Sequence, residues 1–412
     1  MASMMRVDSA ASWWRLAANL LLSAMGGVGM WSVVVALPSV QAEFGVARGT
    51  ASLPYTLSMM ALAVGGILMG RLVDRVGVML PVIGGALSLS LGYILAAQAT
   101  SLWQFTLIQA VLIAFLGAST TFGPLVADTS LWFQRRRGIA VAICASGNYL
   151  AGVIWPPLLQ HLIETIGWRG AHTTVGIICL VVMLPLTIML RRAPPKEAGA
   201  AEAGGAGRFG VAGLSPRAVQ ALLVTAGLTC CIAMSMPQVH IVAYCADLGY
   251  GPAQGAAMLS IMLGFGIASR LASGFIADRI GGFATVLMGT MLQAVALLMY
   301  LGFNGLSSLY VVSALFGLFQ GGIVPSYALV VREIFPAREA ASRVSAVLMA
   351  TVAGMAIGGW MSGAIFDLTG SYRAAFLNGI AWNFVNIGIV VLLWRARLVG
   401  RRLVGVGLDA GR

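Results

Sequence analysis

Charged residues are scarce in this chain, and their scarcity excludes most classes of protein. Only 9% of the 412 residues are charged, whereas 59% are hydrophobic and the mean hydropathy is +0.92. A soluble domain carries about 25% charged residues, so this chain cannot cover a water-facing surface. A soluble enzyme, a nucleic-acid-binding module and a disordered scaffold are therefore excluded. At about 20 residues per helical span, the chain accommodates about twelve membrane-spanning helices and no comparable soluble domain.

Motifs of catalysis and energy coupling are also absent. The sequence contains no G-x-x-x-x-G-K-[ST] phosphate loop, no H-E-x-x-H and no G-x-S-x-G. The five cysteines have no metal-ligand spacing and lie mostly in apolar runs, so we expect them to be small packing residues. The three histidines lie on different spans or loops. We therefore expect no enzyme activity, no cofactor and no bound metal.

Apolar runs separated by breakers predict twelve membrane spans. The first run is interpreted as a retained helix, because no small-residue cleavage signature follows it. The polar stretch 191–217, rich in Gly, Ala and Pro, is typical of a flexible connector. The predicted spans are 15–38, 50–70, 79–99, 102–127, 138–161, 171–190, 218–241, 254–276, 283–303, 307–330, 344–366 and 374–394.

Two short motifs recur at an offset of 204 residues, each at equivalent loops of the two halves. One is Gly-x-x-x-Asp-Arg-x-Gly after spans 2 and 8, and the other is an aromatic-Arg pair before spans 6 and 12. Parallel repeats of this kind occur in transporters built from two related bundles. The sequence therefore predicts six-helix bundles at 1–190 and 218–412, joined by the linker 191–217. The repeated residues are Gly70, Asp74, Arg75 and Gly77; Gly274, Asp278, Arg279 and Gly281; and Trp168-Arg169 with Tyr372-Arg373.

Lys and Arg residues are distributed unevenly between alternate loops. With a cytoplasmic N-terminus, 21 of the 25 fall on the cytoplasmic side, three fall outside and one, Arg270, lies within a span. This asymmetry predicts a multi-pass protein of the cell (inner) membrane with both termini and the linker in the cytoplasm. The net charge of +12 is spread over short clusters, so we expect no nucleic-acid partner.

Together these features resemble the major facilitator superfamily over essentially the whole chain. The first motif is similar to the superfamily's signature between spans 2 and 3, although the residues after Gly77 lack the usual basic pair. The resemblance implies an all-α membrane protein with twelve transmembrane helices in two pseudo-symmetric bundles, working by alternating access. It also implies that both copies of the motif form a charge-relay latch at the cytoplasmic edge of the membrane. Ordinary helix capping and topology charge are the alternative.

Other motifs resemble the oxalate/formate antiporter and monocarboxylate transporter branch of that superfamily. An aromatic-Phe-x-Arg-Arg entry precedes span 5, and a small-residue stretch follows it. The ends of spans 7 and 11 also resemble the ends of these spans in that branch. The matching segments are Trp132-Phe133-Gln-Arg135-Arg136-Arg137-Gly138-Ile-Ala140, Ser146-Gly147-Asn148 with Gly152, His240 to Gly249, and Gly363 to Tyr372.

Arg270 is the one charged residue that the sequence places deep within a span. It precedes Asp278 by eight residues, about 12 Å along a helix, whereas all thirteen acidic residues are expected in loops, tails or at span ends. A guanidinium without an acid at its depth needs an anionic partner, and its planar fork suits a carboxylate. In the monocarboxylate branch a span 8 arginine binds the substrate carboxylate, and the resemblance assigns this role to Arg270. A structural arginine, bonded to backbone carbonyls or to Asp278, is the alternative.

The resemblance also bears on substrate charge and on coupling. Oxalate exchangers are expected to carry a second cation in span 11, and 344–366 contains none, which favours a monocarboxylate. Proton-coupled members carry an acid one turn before the arginine, where this chain has Gly266, so proton symport, anion exchange and uniport stay open. His240 is a candidate proton or substrate ligand, because imidazole titrates near neutral pH. Further cavity candidates, which could instead be interhelical bonding or packing residues, are Thr120, Phe122, Asn148, Tyr149, Gln320, Tyr327 and Trp360.

Two other functions stay open at this point. One is an exporter of a small neutral or amphipathic compound with a structural Arg270, and the other is a transporter-like membrane sensor. We expect a monomer in the lipid bilayer whose partners are a small carboxylate and, depending on coupling, a proton or an exchanged anion.

Overall fold

Helices make up every regular element that can be seen in this protein. The computed structural model describes residues 7–133, 136–191, 213–335 and 337–409, and no strand occurs within these ranges. Eleven helical stretches among them are long and apolar enough to cross a bilayer. One of these, Ile139–Arg191, contains two spans because Gly167 interrupts it at φ 73° and ψ 164°. The twelve resulting spans confirm the predicted fold class.

Spans 1 to 6 include several that are built from more than one helical segment. Span 4 runs to Trp132, beyond its predicted end at 127. The prediction ended where the apolar run ends, but the polar residues Asp128 to Ser130 are still helical. The segments are Ala10–Gly26 and Val28–Phe44 (span 1), Arg48–Ala51 and Leu53–Val76 (span 2), Met79–Ala96 (span 3), Leu102–Ile108, Gln109–Gly117, Ala118–Thr121 and Gly123–Trp132 (span 4), and Arg137–Ala145, Gly147–Ile188 and Met189–Arg191 (spans 5 and 6).

Spans 7 to 12 are mostly single long helices. Span 10 is the exception, since Gly321 and Gly322 separate its two segments. The helices are Pro216–Asp247 (span 7), Pro252–Ile280 (span 8), Gly282–Gly302 (span 9), Leu306–Gln320 and Ile323–Ile334 (span 10), Ala337–Thr369 (span 11) and Tyr372–Asp409 (span 12).

Contacts between residues divide the described chain into two compact units. The first contains the described residues up to Arg191 together with Val239–Gly264, and the second contains residues 213–238 and 265–409. The division differs from the predicted halves in one respect, because Val239–Gly264 (the end of span 7 and the start of span 8) packs with spans 1 to 6. Residues 192–212 of the predicted linker lie outside the described residues.

Buried side chains that carry an amide, an indole N–H or a hydroxyl hold the spans of the first unit together. Gln109 Nε2 donates to the Gly29 carbonyl oxygen at 2.9 Å, and Trp155 Nε1 donates to the Ala24 carbonyl oxygen at 3.0 Å. Ser32 and Tyr93 share a hydroxyl hydrogen bond of 2.7 Å. Each of these bonds pairs a polar group that hydrocarbon cannot solvate, which is how polar side chains join membrane helices.

The repeated Trp-Arg pair closes the predicted external end of the first unit. Arg169 Nη2 donates to Glu43 Oε1 at 2.6 Å, and Nη1 and Nη2 donate to the carbonyl oxygens of Ala97 and Ala99 at 2.6 and 2.8 Å. The Trp168 indole donates to the same Glu43 carboxylate. One arginine thus joins the end of span 1, the loop after span 3 and the start of span 6.

Comparable interactions connect the spans of the second unit. Asn383 Nδ2 donates to the Thr290 carbonyl oxygen at 2.8 Å, which joins spans 12 and 9. The Tyr300 ring stacks on Phe376 with 5.0 Å between centroids, and its hydroxyl lies 2.8 Å from Ser313 Oγ. Spans 9, 10 and 12 are therefore fixed to one another around Tyr300.

Candidate functional site

Several spans of the first unit depart from regular α-helical geometry; the departure in span 2, at Ser52, lies near its start, whereas those in spans 1, 4 and 5 lie further inside. Span 1 is divided at Gly27 and span 5 at Ser146. Span 4 passes from α-helix through a π-helix at Gln109–Gly117 to a 3-10 turn at Ala118–Thr121 before α-helix resumes at Gly123. Broken helices and π-helical turns in membrane proteins are concentrated where a ligand needs access to backbone or polar groups.

These breaks lie against one another. A Cβ added to Gly26 would lie 2.0 Å from Thr121 Oγ1, and one added to Gly147 would lie 2.6 Å from the Ser23 Cβ. A Cβ on Gly27 would meet Asn148 Oδ1 at 3.3 Å. The broken parts of spans 1, 4 and 5 therefore form a single junction, which is surrounded by small and polar side chains.

The sequence-predicted site residues of the first unit occupy different positions around this junction. Asn148 lies at it, with Nδ2 3.9 Å from Met30 Sδ. Thr120 is buried in the 3-10 turn and donates to the Gly117 carbonyl oxygen at 2.8 Å. Phe122 is 42% exposed, whereas Tyr149 and His240 are buried. His240 belongs to the part of span 7 that packs with this unit.

The second unit contains a corresponding break in span 10. A Cβ on Gly321 would lie 2.4 Å from the Gly266 carbonyl oxygen, so spans 8 and 10 approach at backbone distance. One turn further along span 8, Ser269 Oγ accepts a hydrogen bond of 3.1 Å from the Gly322 amide. A Cβ on Gly322 would overlap Ser273. The break is therefore enclosed by the small residues of span 8 that precede and follow Arg270.

Arg270 and Gln320 are the polar side chains nearest in sequence to this contact. Arg270 follows Ser269 directly and is half-buried. Gln320 is fully buried at the end of the helix that stops before Gly321, and neither its Nε2 nor its Oε1 has a hydrogen-bond partner. A buried amide without partners costs about 1–3 kcal/mol. The contact therefore brings together, at backbone distance, the two spans that carry Arg270 and the unpaired Gln320 amide.

The other two predicted residues of the second unit are placed differently. Tyr327 is buried, and its hydroxyl accepts a hydrogen bond from Asn386 Nδ2, which also donates to the Ala226 carbonyl oxygen at 2.6 Å. Tyr327 is thus joined to spans 7 and 12. Trp360 on span 11 is 44% exposed.

The predicted latch residues show equivalent backbone geometry in the two units. Span 2 ends before Gly77 at φ 79° and ψ 167°, and span 8 ends before Gly281 at φ 84° and ψ 164°. Glycine adopts this region without the steric cost that a Cβ brings. The two arginines of the motif, Arg75 and Arg279, are exposed. A Cβ added to Gly70 or Gly274 would have no atom within 4 Å. The side chains of Asp74 and Asp278 lie outside the described part of the structure.

An acid that sequence reasoning missed lies beside the second latch motif. Glu333 Oε1 accepts a hydrogen bond of 2.6 Å from the Gly282 amide at the start of span 9. Its other oxygen pairs with Arg397 of span 12. The carboxylate therefore joins spans 9, 10 and 12 at their predicted cytoplasmic ends. The only sequence signal for this role was that Glu333 is a charged residue at the end of span 10.

A buried ion pair in the first unit corrects the expected distribution of charge. Arg15 and Asp128 were expected at span ends, but both lie within helices and are 4% and 5% exposed. Arg15 Nε and Nη2 donate to the two Asp128 oxygens at 2.8 and 2.7 Å, and Asn19 Nδ2 adds a bond of 2.9 Å. The sequence signal available for this buried pair was Asn19, a polar residue one turn after Arg15 in an otherwise apolar helix. This carboxylate is buried and already holds an arginine.

A second ion pair involves the part of span 7 that packs with the first unit. Arg48 at the start of span 2 pairs with Asp247 at the end of span 7, and Arg48 Nε donates to Gln41 Oε1 at 3.0 Å. Deeper in the unit, Ser260 Oγ of span 8 donates to the Val153 carbonyl oxygen. These two contacts attach Val239–Gly264 to spans 2 and 5.

The chemistry available at both helix breaks is hydrogen bonding and charge pairing. Within the described ranges, no group of three or more His, Cys, Asp or Glu side chains is arranged to hold a metal ion. The groups at the breaks are amides, hydroxyls and a guanidinium, which suit reversible binding of a small polar molecule.

Comparisons with known proteins agree with this architecture. The profile of the Major Facilitator Superfamily matches residues 20–308. A bacterial homologue of the human lysosomal transporter Spinster, solved in an inward-facing and unoccupied conformation, superposes with a TM-score of 0.68 at 14% identity, covering 95% of this chain and 97% of that one. This likeness supports the fold.

Two curated relatives illustrate the range of sequence similarity. Monocarboxylate transporter 13 of Bos taurus is 30% identical over 320 residues, 76% of this chain and 72% of the relative. The MFS transporter asaE of Aspergillus flavus is 25% identical over 353 residues, 83% of this chain and 75% of the relative. The comparisons confirm a membrane transporter, not an enzyme, that resembles the monocarboxylate branch. This chain belongs to the major facilitator superfamily.

Proposed function

We propose that this transporter carries a small organic anion, in the simplest case a monocarboxylate, by alternating access, and that Arg270 binds the carboxylate. The observation that carries the proposal is that Arg270 lies on span 8 between Ser269 and Ser273, the two residues against which Gly322 of the span 10 break packs. A guanidinium can bind a carboxylate through two parallel hydrogen bonds. The names of the bovine and rat relatives, monocarboxylate transporter 13, support the same class of substrate.

Gln320 strengthens this proposal through its buried amide. The side chain donates and accepts no hydrogen bond, so the unit retains an energetic cost that a ligand would relieve. Gln320 is adjacent to Gly321, which contacts Gly266 one turn before Arg270. We propose that the amide binds a polar atom of the same substrate.

The location of the protein is part of the proposal. The Lys and Arg distribution supports a cell (inner) membrane protein with both termini in the cytoplasm. Both copies of the Gly-Asp-Arg-Gly motif are proposed to act as latches at that side, and the protein is proposed to work as a monomer. The pH dependence in the test below separates proton symport from the other two modes, anion exchange and uniport.

The test is a thermal-shift screen of the purified protein against short carboxylates, amines and neutral drug-like compounds at two pH values. Binding to the folded state raises the midpoint of unfolding by an amount that grows with the logarithm of one plus the ratio of ligand concentration to Kd. We expect stabilisation by monocarboxylates, and a dependence of affinity on pH only if a proton is coupled. A response restricted to amines or neutral compounds would replace the proposal with the exporter alternative.

Gln320→Leu distinguishes a ligand-binding amide from a packing residue. Without ligand, the variant should be as stable as the wild type or more stable, since it removes a buried unpaired amide. Its affinity for the carboxylate should fall by about fivefold to tenfold, the effect of one lost hydrogen bond. Unchanged carboxylate affinity would remove Gln320 from the proposed site.

A further inference from the structure

A cavity separate from both helix breaks opens at the predicted cytoplasmic end of the first unit. Its volume is about 610 Å³. It lies between the start of span 1, the end of span 4 and the end of span 6, all of which belong to the same unit. The residues that line it are Ala11, Trp14, Arg15, Trp132, Ile188, Met189 and Arg191.

The inner wall of this cavity carries an unused hydrogen-bond donor. Trp132 is 1% exposed, and its Nε1 has no hydrogen-bond partner. The Arg15 guanidinium lies over the same ring, 4.6 Å from its centroid. Since both Asp128 oxygens already accept bonds from Arg15, that carboxylate is occupied within the protein. A buried N–H without an acceptor is costly, and an anionic ligand would supply one.

The outer wall combines positive charge with exposed apolar surface. Arg191 is exposed at the rim. Trp14 and Ile188 are 69% and 64% exposed, and Met189 is 41% exposed. Indole rings are favoured at the membrane–water boundary because one part is apolar and the other donates a hydrogen bond. This wall therefore suits a molecule with an anionic head and hydrocarbon chains.

The acidic residues nearest to this cavity do not make it negatively charged. Asp8 precedes span 1, and its backbone amide donates to the Trp132 carbonyl oxygen at 3.1 Å. Asp128 is neutralised by Arg15. Neither acid is among the residues that line the cavity, whereas two arginines are.

We propose that this cavity binds the headgroup of an anionic phospholipid from the leaflet at the predicted cytoplasmic side. Its phosphate accepts hydrogen bonds from Arg191 and from Trp132 Nε1, while its acyl chains lie along Trp14 and Ile188. A phosphate suits these donors because charge-assisted bonds to arginine are strong. Because the site lies in the first unit and uses none of the residues assigned to the substrate, its failure would leave the proposed function unaffected.

The experiment measures the unfolding midpoint of the full-length protein in detergent during titration with phosphatidylglycerol. Phosphatidylcholine and inorganic phosphate are the parallel arms, and Arg191→Gln and Trp132→Phe are the test variants. Arg332→Gln is the matched control, because Arg332 is an exposed arginine at the predicted cytoplasmic end of span 10. The compared quantity is the lipid concentration that raises each protein's own lipid-free midpoint by the same increment, so that a change in basal stability has little effect on the result.

Phosphatidylglycerol should stabilise the wild type and Arg332→Gln at similar concentrations. Each test variant should need about fivefold more lipid, which corresponds to the contribution of one basic residue or hydrogen bond. Equal stabilisation by phosphatidylcholine, or by inorganic phosphate alone, would overturn the proposal of an anionic lipid. A wild-type response in both test variants would overturn the assignment of the cavity.

Discussion

At the scale of single residues, the fold determines which charges are buried, and the sequence indicates this only in part. The position of Arg270 within an apolar span was evident from the sequence. The burial of Arg15 was not, because its partner Asp128 is 113 residues away and only the fold brings the two together. The unpaired amide of Gln320 was equally hidden, since a glutamine in an apolar run is normally bonded between helices.

The buried pair should contribute strongly to stability. Asp128→Asn leaves the Arg15 guanidinium buried without a countercharge, and we expect a loss of about 3 kcal/mol in the free energy of unfolding. The double variant Arg15→Met with Asp128→Leu should recover much of this loss, because it removes both charges. Thermal or denaturant unfolding in detergent measures the effect.

Asp367→Asn is the control for this prediction, because Asp367 is exposed at the end of span 11. Its substitution should change stability by no more than about 0.5 kcal/mol. Equal effects of Asp128→Asn and Asp367→Asn would show that the Arg15–Asp128 pair contributes nothing.

At the scale of helices, the sequence predicts the spans well and their interruptions poorly. Long apolar runs and the repeated Gly-Asp-Arg-Gly motif are local signals, so the spans and the repeat followed from them. The breaks at Gly27 and Ser146 lie in the small-residue runs Gly26-Gly27 and Ser146-Gly147-Asn148, but small residues also occur in continuous membrane helices, so these runs alone do not predict a break. The breaks persist because spans 1, 4 and 5 meet there through Thr121, Ser23 and Asn148.

The contact of spans 8 and 10 should depend on glycine at position 321. In Gly321→Ala the new Cβ would meet the Gly266 backbone, so the helices must separate, and we expect a loss of about 1–3 kcal/mol in stability. Transport should fall as well, since the neighbours of Arg270 would shift. Unfolding midpoints and uptake into proteoliposomes measure the two effects.

Gly388→Ala is the matched control, because Gly388 is an exposed position on span 12 with no atom within 4 Å of an added Cβ. A helix gains up to about 1 kcal/mol from such a change. If Gly321→Ala were as well tolerated as Gly388→Ala, the close packing at the break would not matter for function.

At the scale of the whole molecule, the first unit contains a contact that the proposed alternating-access cycle would break. The segment Val239–Gly264 belongs to the predicted second half of the repeat but is attached to spans 2 and 5 through Arg48–Asp247 and Ser260–Val153. In the proposed alternating-access mechanism, the two halves of the repeat would move against each other. We therefore expect the Arg48–Asp247 pair to bias the conformational equilibrium.

Asp247→Asn should increase labelling at this contact. A Ser260→Cys variant can be labelled with a membrane-impermeant maleimide against a low background, since all five native cysteines are buried. Adding Asp247→Asn should raise the labelling rate by up to about fivefold, as expected for a partly exposed ion pair. The exchange Arg48→Asp with Asp247→Arg should restore the original rate. A labelling rate that neither change alters would show that the ion pair does not affect the conformational equilibrium.

The central claim is that Arg270 binds the carboxylate of the transported anion, and uptake of a labelled short monocarboxylate into proteoliposomes tests it most directly. We expect Arg270→Ala to lower uptake by about 30-fold or more, the cost of removing one partner of a buried charge pair. Arg270→Lys should remain severely impaired, because an ammonium cannot form the bidentate bond. Both variants should be present in the membrane and folded. Uptake at the wild-type rate by folded Arg270→Ala would contradict the account.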